Sequence, residues 1–271
     1  MANYICITCG TQFAQTSRTP ERCPICEDER QYIGHDGQQW TTLPELQKSH
    51  HNRIEQQEDR LYGIGIEPKF AIGQRALLIQ SDQGNILWDC VSLIDDETIE
   101  RVNALGGVSA IAVSHPHYYS SAVEWAQAFG VSLYLHEADR QWAMRPDPAI
   151  EFWQGDTLEL QKGITLIRTG GHFAGGTVCH WASGASTSGT LCTGDVIQVV
   201  ADRRWVSFMY SYPNLIPLAA DKIRRIVEAV EPYAFERIYG AWWEAVVPSN
   251  AKDSVRRSAE RYIRAIAAPT A

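Results

Sequence analysis

The stretch that decides the fold spans residues 111–120 and has the sequence IAVSHPHYYS. Its first three residues are apolar and continue from Ala110, which is typical of a short buried strand. His115 and His117 follow this strand at positions i and i+2, and in extended backbone such residues point to the same side. Two imidazoles beyond one strand end predict a metal-binding pair, and a surface loop that happens to carry two histidines is the alternative.

Two motifs further along the chain have a similar form, in which a polar residue follows an apolar strand in a glycine turn. His172 lies in TGGHFAGG, residues 169–176, after the predicted strand 164–167. Asp195 ends the sequence LCTGD, residues 191–195. Glycine lets such a loop approach a ligand closely, although a carboxylate in a glycine turn is also an ordinary cap. Each motif alone leaves its role open.

Short apolar runs and helical patterns alternate along the chain from Leu61 onward, which predicts a layered α/β domain. The predicted strands are 76–79, 86–91, 110–113, 133–135, 164–167, 177–181 and 190–192. The predicted helices are 95–105, 120–129, 136–144, 215–230 and 250–267. Three cysteines in the apolar runs are predicted to pack as buried thiols, namely Cys90, Cys179 and Cys192.

Taken in this order, the motifs resemble the metallo-β-lactamase fold superfamily, from about Leu61 to Ala267. The landmarks that carry the resemblance are Asp89, His115, His117, His172 and Asp195. The resemblance implies a four-layered αββα sandwich, in which two β-sheets stack between helices and metal ions sit where strand ends converge. His136 and His180 match no ligand position. We expect His136 to pack against or cap the following helix, and His180 to be a satisfied residue within its strand.

The sequence departs from the full superfamily motif, His-x-His-x-Asp-His, whose members normally bind two metal ions. Tyr119 stands where the second-metal aspartate belongs, and Ser120 stands where its histidine belongs. The late histidine of the superfamily is missing as well, because no histidine follows His180. The resemblance therefore implies that the ligands of a second metal ion have been lost.

What remains predicts a site for one metal ion, zinc or another divalent metal. Its ligands are His115, His117 and His172, with Asp195 as a fourth ligand or a holder of water. Three neutral imidazoles and an open position suit a zinc ion that activates water. We therefore expect a metal-dependent hydrolase that acts on a small-molecule substrate. The alternative is a non-catalytic protein of the same fold that binds a ligand or a partner, and metal content separates the two.

Large aromatic residues occupy the positions of the missing ligands. Tyr119 is predicted to fill the vacant second site, or to act in catalysis by donating a proton. Tyr118, Trp242 and Trp243 are predicted to line an aromatic substrate pocket. The alternative is that these residues plug an inactive site as part of the core.

The first 35 residues carry two Cys-x2-Cys knuckles separated by thirteen residues, formed by Cys6, Cys9, Cys23 and Cys26. Two knuckles complete a tetrahedron of thiolates, which predicts a closed, structural zinc site. The segment resembles a zinc ribbon or a rubredoxin-type module, and iron in the same cage would make it an electron carrier. Zinc is favoured, because no flavin domain and no second-site carboxylate or histidine supports a redox centre.

Composition sets the remaining expectations. The 271 residues have a net charge of -8, which argues against a general nucleic-acid binder. We find no apolar run that could span a membrane and no signal-peptide pattern at the N-terminus. A cytoplasmic location is therefore expected, where closely spaced cysteines are metal ligands rather than disulfides. The predicted domains are a cysteine-rich module at 1–35, a polar linker at 36–60 and the main domain at 61–271.

Overall fold

The computed structural model describes residues 1–267, and the chain divides into two compact units. The first unit comprises Met1–Trp153, and the second begins at Gln154. The predicted main domain ends at residue 271, and its last four residues lie outside the described part of the chain.

The first unit begins with a small module, called here the cysteine module, which comprises residues 1–46. Its elements are β1 (Tyr4–Cys6), α1 (Pro24–Glu27), β2 (Trp40–Thr42) and α2 (Leu43–Leu46). The two strands pair antiparallel, with Cys6 opposite Trp40. Because so short a segment cannot bury a core of its own, it needs a further constraint to hold its structure.

A seven-stranded mixed sheet forms the rest of the first unit. Its strands lie side by side in chain order. They are β3 (His51–Glu58), β4 (Leu61–Glu67), β5 (Arg75–Ile79), β6 (Ile86–Trp88), β7 (Ala110–Ala112), β8 (Leu133–His136) and β9 (Ile150–Trp153). Both β5 and β6 are buried along their whole length, in agreement with their continuous apolar sequences.

The pairing changes direction in the middle of this sheet. The strands from β3 to β6 pair antiparallel, whereas those from β6 to β9 pair parallel. Parallel neighbours need a crossover, and α3 (Asp96–Ala104) and α4 (Ala122–Phe129) supply two of them. The carboxyl ends of β6, β7 and β8 therefore meet at one edge of the sheet, and the segments that follow them lie there together.

Both crossover helices have clear signals at their ends. The carboxylate of Asp95 accepts a 2.8 Å hydrogen bond from the amide of Thr98 at the start of α3. Gly130 ends α4 in the left-handed conformation. The predicted helix 136–144 is instead a 3₁₀ helix at Glu137–Trp142. His136 caps it, because its Nδ1 accepts from the amide of Ala138 at 3.1 Å.

The segment 36–60 differs from the predicted linker, because it contains β2, α2 and the edge strand β3. Asn52 in β3 is buried, and its side-chain amide donates to the carbonyl of Leu93 and the hydroxyl of Thr98, both at 3.0 Å. The sequence HNRIEQQE of β3 looks like a linker because an edge strand with a solvent-facing side needs few apolar residues.

In the described part of the chain, the second unit contains ten strands. They are β10 (Thr157–Gln161), β11 (Ile164–Arg168), β12 (Thr177–Trp181), β13 (Thr190–Gly194), β14 (Gln198–Val199), β15 (Val206–Ser207), β16 (Met209–Ser211), β17 (Ile216–Pro217), β18 (Arg237–Gly240) and β19 (Val246–Val247). Six of them form one sheet in the order β10-β11-β12-β13-β18-β19, in which β13 and β18 pair parallel and the other neighbours pair antiparallel. The pairs β14 with β15 and β16 with β17 form short ribbons outside this sheet.

Three helical segments complete the second unit, namely α5 (Gly184–Thr187), α6 (Ala220–Val230) and α7 (Ala251–Ile266). The apolar faces of α6 and α7 belong to one core cluster with residues of the sheet. The predicted helix 215–230 begins only at Ala220, because Ile216–Pro217 pairs with β16. Within residues 1–267, no helix is both long enough and apolar enough to cross a membrane.

The buried amide of Asn52 provides a test of how firmly segment 36–60 belongs to the first unit. Asn52→Ala leaves two buried polar partners without their donor, so we expect the free energy of unfolding to fall by about 2 kcal/mol. Gln56→Ala, at an exposed position of the same strand, should change it by less than about 0.5 kcal/mol. Urea unfolding followed by circular dichroism measures both variants. Equal stability of the two would show that β3 is held only loosely.

Candidate metal sites

The four cysteines of the cysteine module converge on one point. Cys6 ends β1, Cys23 precedes α1, and the amide of Gly10 closes the first knuckle by donating to the carbonyl of Cys6 at 2.8 Å. The Sγ atoms of Cys6 and Cys26 lie 3.6 Å apart, and those of Cys9 and Cys23 lie 3.7 Å apart. All four sulfur atoms are buried and lie within 4.8 Å of one another.

These separations fit a metal ion and do not fit a disulfide. A disulfide joins sulfur atoms about 2.05 Å apart, whereas four sulfurs about 2.3 Å from a tetrahedral zinc ion lie about 3.8 Å from one another. The side-chain amide of Gln38 donates to Sγ of Cys6 at 3.2 Å, which is a hydrogen bond that suits a thiolate ligand. The donor set therefore fits a closed, structural zinc site.

Without a cation, the four thiols oppose one another's ionisation. Hydrogen bonding by Cys23 lowers the pKa of the Cys6 thiol, and hydrogen bonding by the same residue raises the pKa of Cys9 and of Cys26. Ionisation is therefore favoured at Cys6 and opposed at Cys9 and Cys26. A divalent cation removes the repulsion between thiolates, so metal binding and release of the thiol protons are coupled.

Apolar side chains from two parts of the first unit surround the cysteine cluster. Phe13 and Trp40 come from the cysteine module itself, and their rings meet edge to face with centroids 4.8 Å apart. Ile72, Trp142 and Met144 come from the chain beyond the module and pack against the same cluster. The cysteine site is therefore part of a core that the module shares with the rest of its unit.

His115 and His117 lie at the sheet edge where β7 ends. A single 3₁₀ turn, Pro116–Tyr118, follows the strand, and the two imidazole rings lie with centroids 5.3 Å apart. Both histidines are buried. The Nδ1 atom of His115 lies 2.9 Å from the hydroxyl oxygen of Ser114. The two rings predicted to share one side of the strand end are thus neighbours in the folded chain.

Asp89 fixes the start of this loop. Its amide donates to the carbonyl of Ala112 at 2.8 Å, which extends the pairing of β6 with β7 by one bond. Its carboxylate accepts from the amide of Ser114, also at 2.8 Å. Asp89 has a left-handed backbone with φ of 59°, so the chain changes direction at this residue. Asp89 therefore positions the residue that immediately precedes His115.

His172 lies in the glycine loop between β11 and β12 of the second unit. The amides of Thr169 and Gly170 both donate to the carbonyl of Gly176, at 2.8 and 2.9 Å, and so close the loop at its base. Gly171 has φ of 88°, and a Cβ atom there would lie only 2.8 Å from Cδ1 of Ile226. A side chain at 171 is therefore excluded, which explains the glycine that precedes the histidine.

The hydrogen bonds of His172 determine which ring nitrogen can bind a metal ion. Its Nδ1 lies 2.8 Å from the carbonyl oxygen of Tyr210 and 3.2 Å from that of Met209. Because a carbonyl oxygen only accepts, Nδ1 carries the proton and Nε2 keeps the lone pair for a metal. Both carbonyls belong to β16, the short strand Met209–Ser211.

Asp195 and Tyr212 are linked near the same histidine. Asp195 is buried directly after β13. Its backbone carbonyl accepts a 2.7 Å hydrogen bond from the hydroxyl of Tyr212, whose ring centroid lies 5.7 Å from that of His172. Burial raises the pKa of Tyr212, which keeps the hydroxyl protonated and able to donate. This contact could not be predicted from the sequence, since a tyrosine that bonds a backbone carbonyl has no motif.

The aromatic residues of the predicted pocket occupy different surroundings. Tyr118 is fully buried, with its ring centroid 4.4 Å from that of His115. Tyr119 and Thr11 line a cavity of about 20 Å³ in the first unit, and among residues 1–267 no hydrogen-bond partner is found for either hydroxyl. Trp242 and Trp243 are half-buried in the turn between β18 and β19, where Trp242 packs against the core of the second unit.

Other predicted residues have structural roles. His180 lies in β12, and its Nε2 is 2.7 Å from the carbonyl oxygen of Ala234, so the expectation of a satisfied strand histidine is confirmed. The three cysteines outside the module are buried and, among residues 1–267, form no disulfide, in agreement with the prediction of buried thiols. Two groups of buried side chains in the described part of the chain are consistent with metal binding. They are Cys6, Cys9, Cys23 and Cys26, and the pair His115 and His117, both in the first unit. His172 is a buried histidine of the second unit.

Comparison with known proteins gives one relative over nearly the whole length. The uncharacterized protein YmaE of Bacillus subtilis (strain 168) is 54% identical over 268 residues, which is 98% of this chain and 97% of YmaE. The chain belongs to the YmaE family. No protein-family model matches the chain.

Solved structures identify the fold that this YmaE-family chain shares. VMB-1 covers 80% of this chain and 99% of its own, with a TM-score of 0.59 and 14% identity. The DIM-1 metallo-β-lactamase gives a TM-score of 0.58 at 15% identity, over 78% of this chain and 98% of its own. FIM-1 from Pseudomonas aeruginosa in the mono-zinc form gives a TM-score of 0.58 at 14% identity, over 78% of this chain and 95% of its own.

The likeness establishes a metallo-β-lactamase fold, an α/β sandwich with two mixed sheets, preceded in this chain by a small cysteine-rich module. The matched share of the chain is larger than either compact unit. The fold likeness therefore includes residues of both, and the expectation of this fold is confirmed. At these identities the likeness concerns the fold alone.

The cysteine site predicts a loss of metal on substitution. Cys23→Ser replaces a thiolate by a poor zinc ligand, so we expect the purified protein to lose one zinc per chain and its cysteine module to become sensitive to protease. Cys179→Ala is the matched control, because it removes a buried thiol outside the module. Zinc content by atomic emission, with limited proteolysis, measures both. Full zinc and resistance to protease in Cys23→Ser would contradict a structural site.

Proposed function

We propose that this protein is a metal-dependent hydrolase with one divalent ion, zinc first among the candidates, held by His115, His117 and His172. The observation that carries the proposal is the preparation of these rings for metal binding. His115 and His117 are buried neighbours at the carboxyl end of β7, and the proton on Nδ1 of His172 leaves Nε2 as the metal-binding nitrogen. The fold shared with the mono-zinc form of FIM-1 supports bringing the three together.

The hydrogen bonds at the replaced positions support one metal ion rather than two. The hydroxyl of Ser120 donates to the carbonyl of Cys90 at 3.2 Å and accepts from the side-chain amide of Gln74 at 2.9 Å. Tyr119 faces the cavity that it shares with Thr11. Both residues at the former second-site positions are therefore engaged within the first unit, and neither offers a carboxylate or an imidazole.

The chemistry follows from the proposed ligands. A zinc ion with three histidine ligands supplies Lewis-acid activation of water near neutral pH. We assign Asp195 to the same site, as a fourth ligand or as the acceptor that orients a water molecule. Burial raises the pKa of Tyr119 above the ordinary value of a tyrosine, which makes the buried hydroxyl a weaker proton donor. Its proposed role as a proton donor therefore requires the hydroxyl to leave its cavity when substrate binds.

The proposed substrate is a small molecule, bound against Trp242 and Trp243, which are half-buried. Tyr118, which was predicted to line the same pocket, is fully buried and leaves no surface for a ligand. Aromatic walls favour ligands with apolar surface, and the net charge of -8 disfavours polyanions such as nucleic acids. The fold hosts hydrolysis of several bond types and does not select one. A panel of thioesters, lactones and lactams, with zinc added, is the activity screen that the proposal calls for.

A second candidate is a binding protein without catalysis. The observation that favours it is the complete burial of Tyr118 and the near-complete burial of Tyr119 beside the histidine pair, as expected where aromatic residues plug an inactive site. In that case the cysteine module holds the zinc of the protein, and the histidine site holds none.

The decisive measurement is a count of metal ions in zinc-saturated, dialysed protein. The hydrolase proposal predicts two zinc ions per chain, and His172→Ala should lose the more weakly held one while the cysteine site keeps its own. His180→Ala is the matched control, because His180 is a buried histidine bonded to a carbonyl, and it should keep both ions. Zinc only in the cysteine module of the unchanged protein would overturn the hydrolase proposal in favour of the binding protein.

A further inference from the structure

The cysteine module makes direct contacts with the segment that carries the histidine pair. We call residues 114–121 the histidine loop. The amide of Gln12, three residues after Cys9, donates to the carbonyl of Ser120 at 2.9 Å. At the same place the hydroxyl of Ser92 donates to the carbonyl of Gly10 at 2.7 Å. The chain leaving the first cysteine knuckle thus lies against the histidine loop and against the segment after β6.

The side chain of Gln12 extends this contact to the helix that follows the histidine loop. Gln12 is buried, and its amide nitrogen donates to the carboxylate of Glu124 in α4 at 3.0 Å. Arg145 donates to the side-chain oxygen of Gln12 and, at 2.6 Å, to Glu124. A charge-assisted network of three partly or fully buried side chains therefore joins the module to α4, which follows the histidine loop, and to Arg145.

The close fit at Gly10 allows little freedom between the two parts. A Cβ atom at Gly10 would lie 2.6 Å from the Ser92 hydroxyl and 3.2 Å from Cβ of Ala71. Ser120, which accepts the bond from Gln12, has a left-handed backbone with φ of 46°. Such a conformation in a non-glycine residue persists only where its surroundings hold it. The bond from Gln12 is one of the contacts that do so.

We propose that the cysteine module positions the histidine loop through Gln12, so that metal in the cysteine site and metal at His115 and His117 raise each other's affinity. Metal binding orders the knuckle from which residues 10–12 emerge, and these residues hold the carbonyl of Ser120 and the start of α4. The coupling is reciprocal by thermodynamic necessity. The metal-affinity part of this inference rests on the proposed function, whereas the positioning of the loop does not.

The test compares Gln12→Ala with Gln15→Ala in the full-length, zinc-loaded protein. Gln15 belongs to the same module, and its exposed side chain donates to the carbonyl of Met1 at 3.4 Å. We expect the amides of the histidine loop to exchange with deuterium about tenfold faster in Gln12→Ala than in the unchanged protein. Gln15→Ala should leave them unchanged. The strands of the second unit serve as reference, because a general loss of stability would raise their exchange equally.

A second readout follows the metal itself. Cobalt(II) titrated into protein whose cysteine site holds zinc should bind the histidine site about tenfold more weakly in Gln12→Ala, with the zinc content of the cysteine site unchanged. Should Gln12→Ala fail to fold, Ser92→Ala removes the neighbouring contact to Gly10 and should increase exchange of the same loop.

The outcomes separate the two proposals. Unchanged exchange of the histidine loop in folded Gln12→Ala, which keeps the backbone amide of residue 12 but loses the side-chain bonds to Glu124 and Arg145, overturns positioning through the Gln12 side chain, whatever the metal content. Absence of a second metal ion in the unchanged protein overturns the hydrolase proposal, while faster exchange confined to the histidine loop would still support the role of Gln12.

Discussion

The parallel pairing of β6 with β7, continued by Asp89, is the constraint on which the histidine pair depends. Two hydrogen bonds of 2.8 Å join Asp89 to the end of β7. The amide of Asp89 donates to the carbonyl of Ala112, and the amide of Ser114 donates to the carboxylate of Asp89. A hydrogen bond from a backbone amide to a carboxylate is both strong and directional. Because the chain turns at Asp89 and at Ser114 together, the position of His115 follows from the sheet and not from the flexible geometry of a long loop.

The histidine of the second unit is prepared in a different way. The backbone carbonyls of Met209 and Tyr210 orient His172. These carbonyls belong to a three-residue strand that pairs only with the two residues of β17, outside the six-stranded sheet. The hydroxyl of Tyr212 then ties the same segment to the loop of Asp195. His172 and Asp195 are therefore held by a separate segment, residues 209–212, through hydrogen bonds in which main-chain carbonyls accept.

The sequence allowed the fold and the ligands to be predicted to the extent that each has a local signal. The buried strands, the capped α3 and the glycine that ends α4 all have one, and so do the two Cys-x2-Cys knuckles. The strand β3 had none, because an edge strand as polar as HNRIEQQE matches the composition of a linker. The carbonyl support of His172 and the bond from Gln12 to Ser120 also had none, since a main-chain group carries no information about its own partner. Residue identity thus predicts which groups can act, and the tertiary structure determines which of them are held in place.

Ser120 is part of the structural frame of the histidine loop, at a position where the resemblance implies a metal-binding histidine. A histidine at 120 would need its ring to face a metal ion, whereas the serine there bonds to Cys90 and Gln74 and lends its carbonyl to Gln12. These three contacts tie the histidine loop to the segment after β6, to the segment before β5 and to the cysteine module. A larger side chain with its own ligand would break at least the two hydroxyl bonds, which are buried and therefore costly to leave unsatisfied. The contacts of Ser120 thus join the histidine loop to the cysteine module and to the sheet at one residue, and a side chain of another shape would have to give up the buried bonds that make this junction.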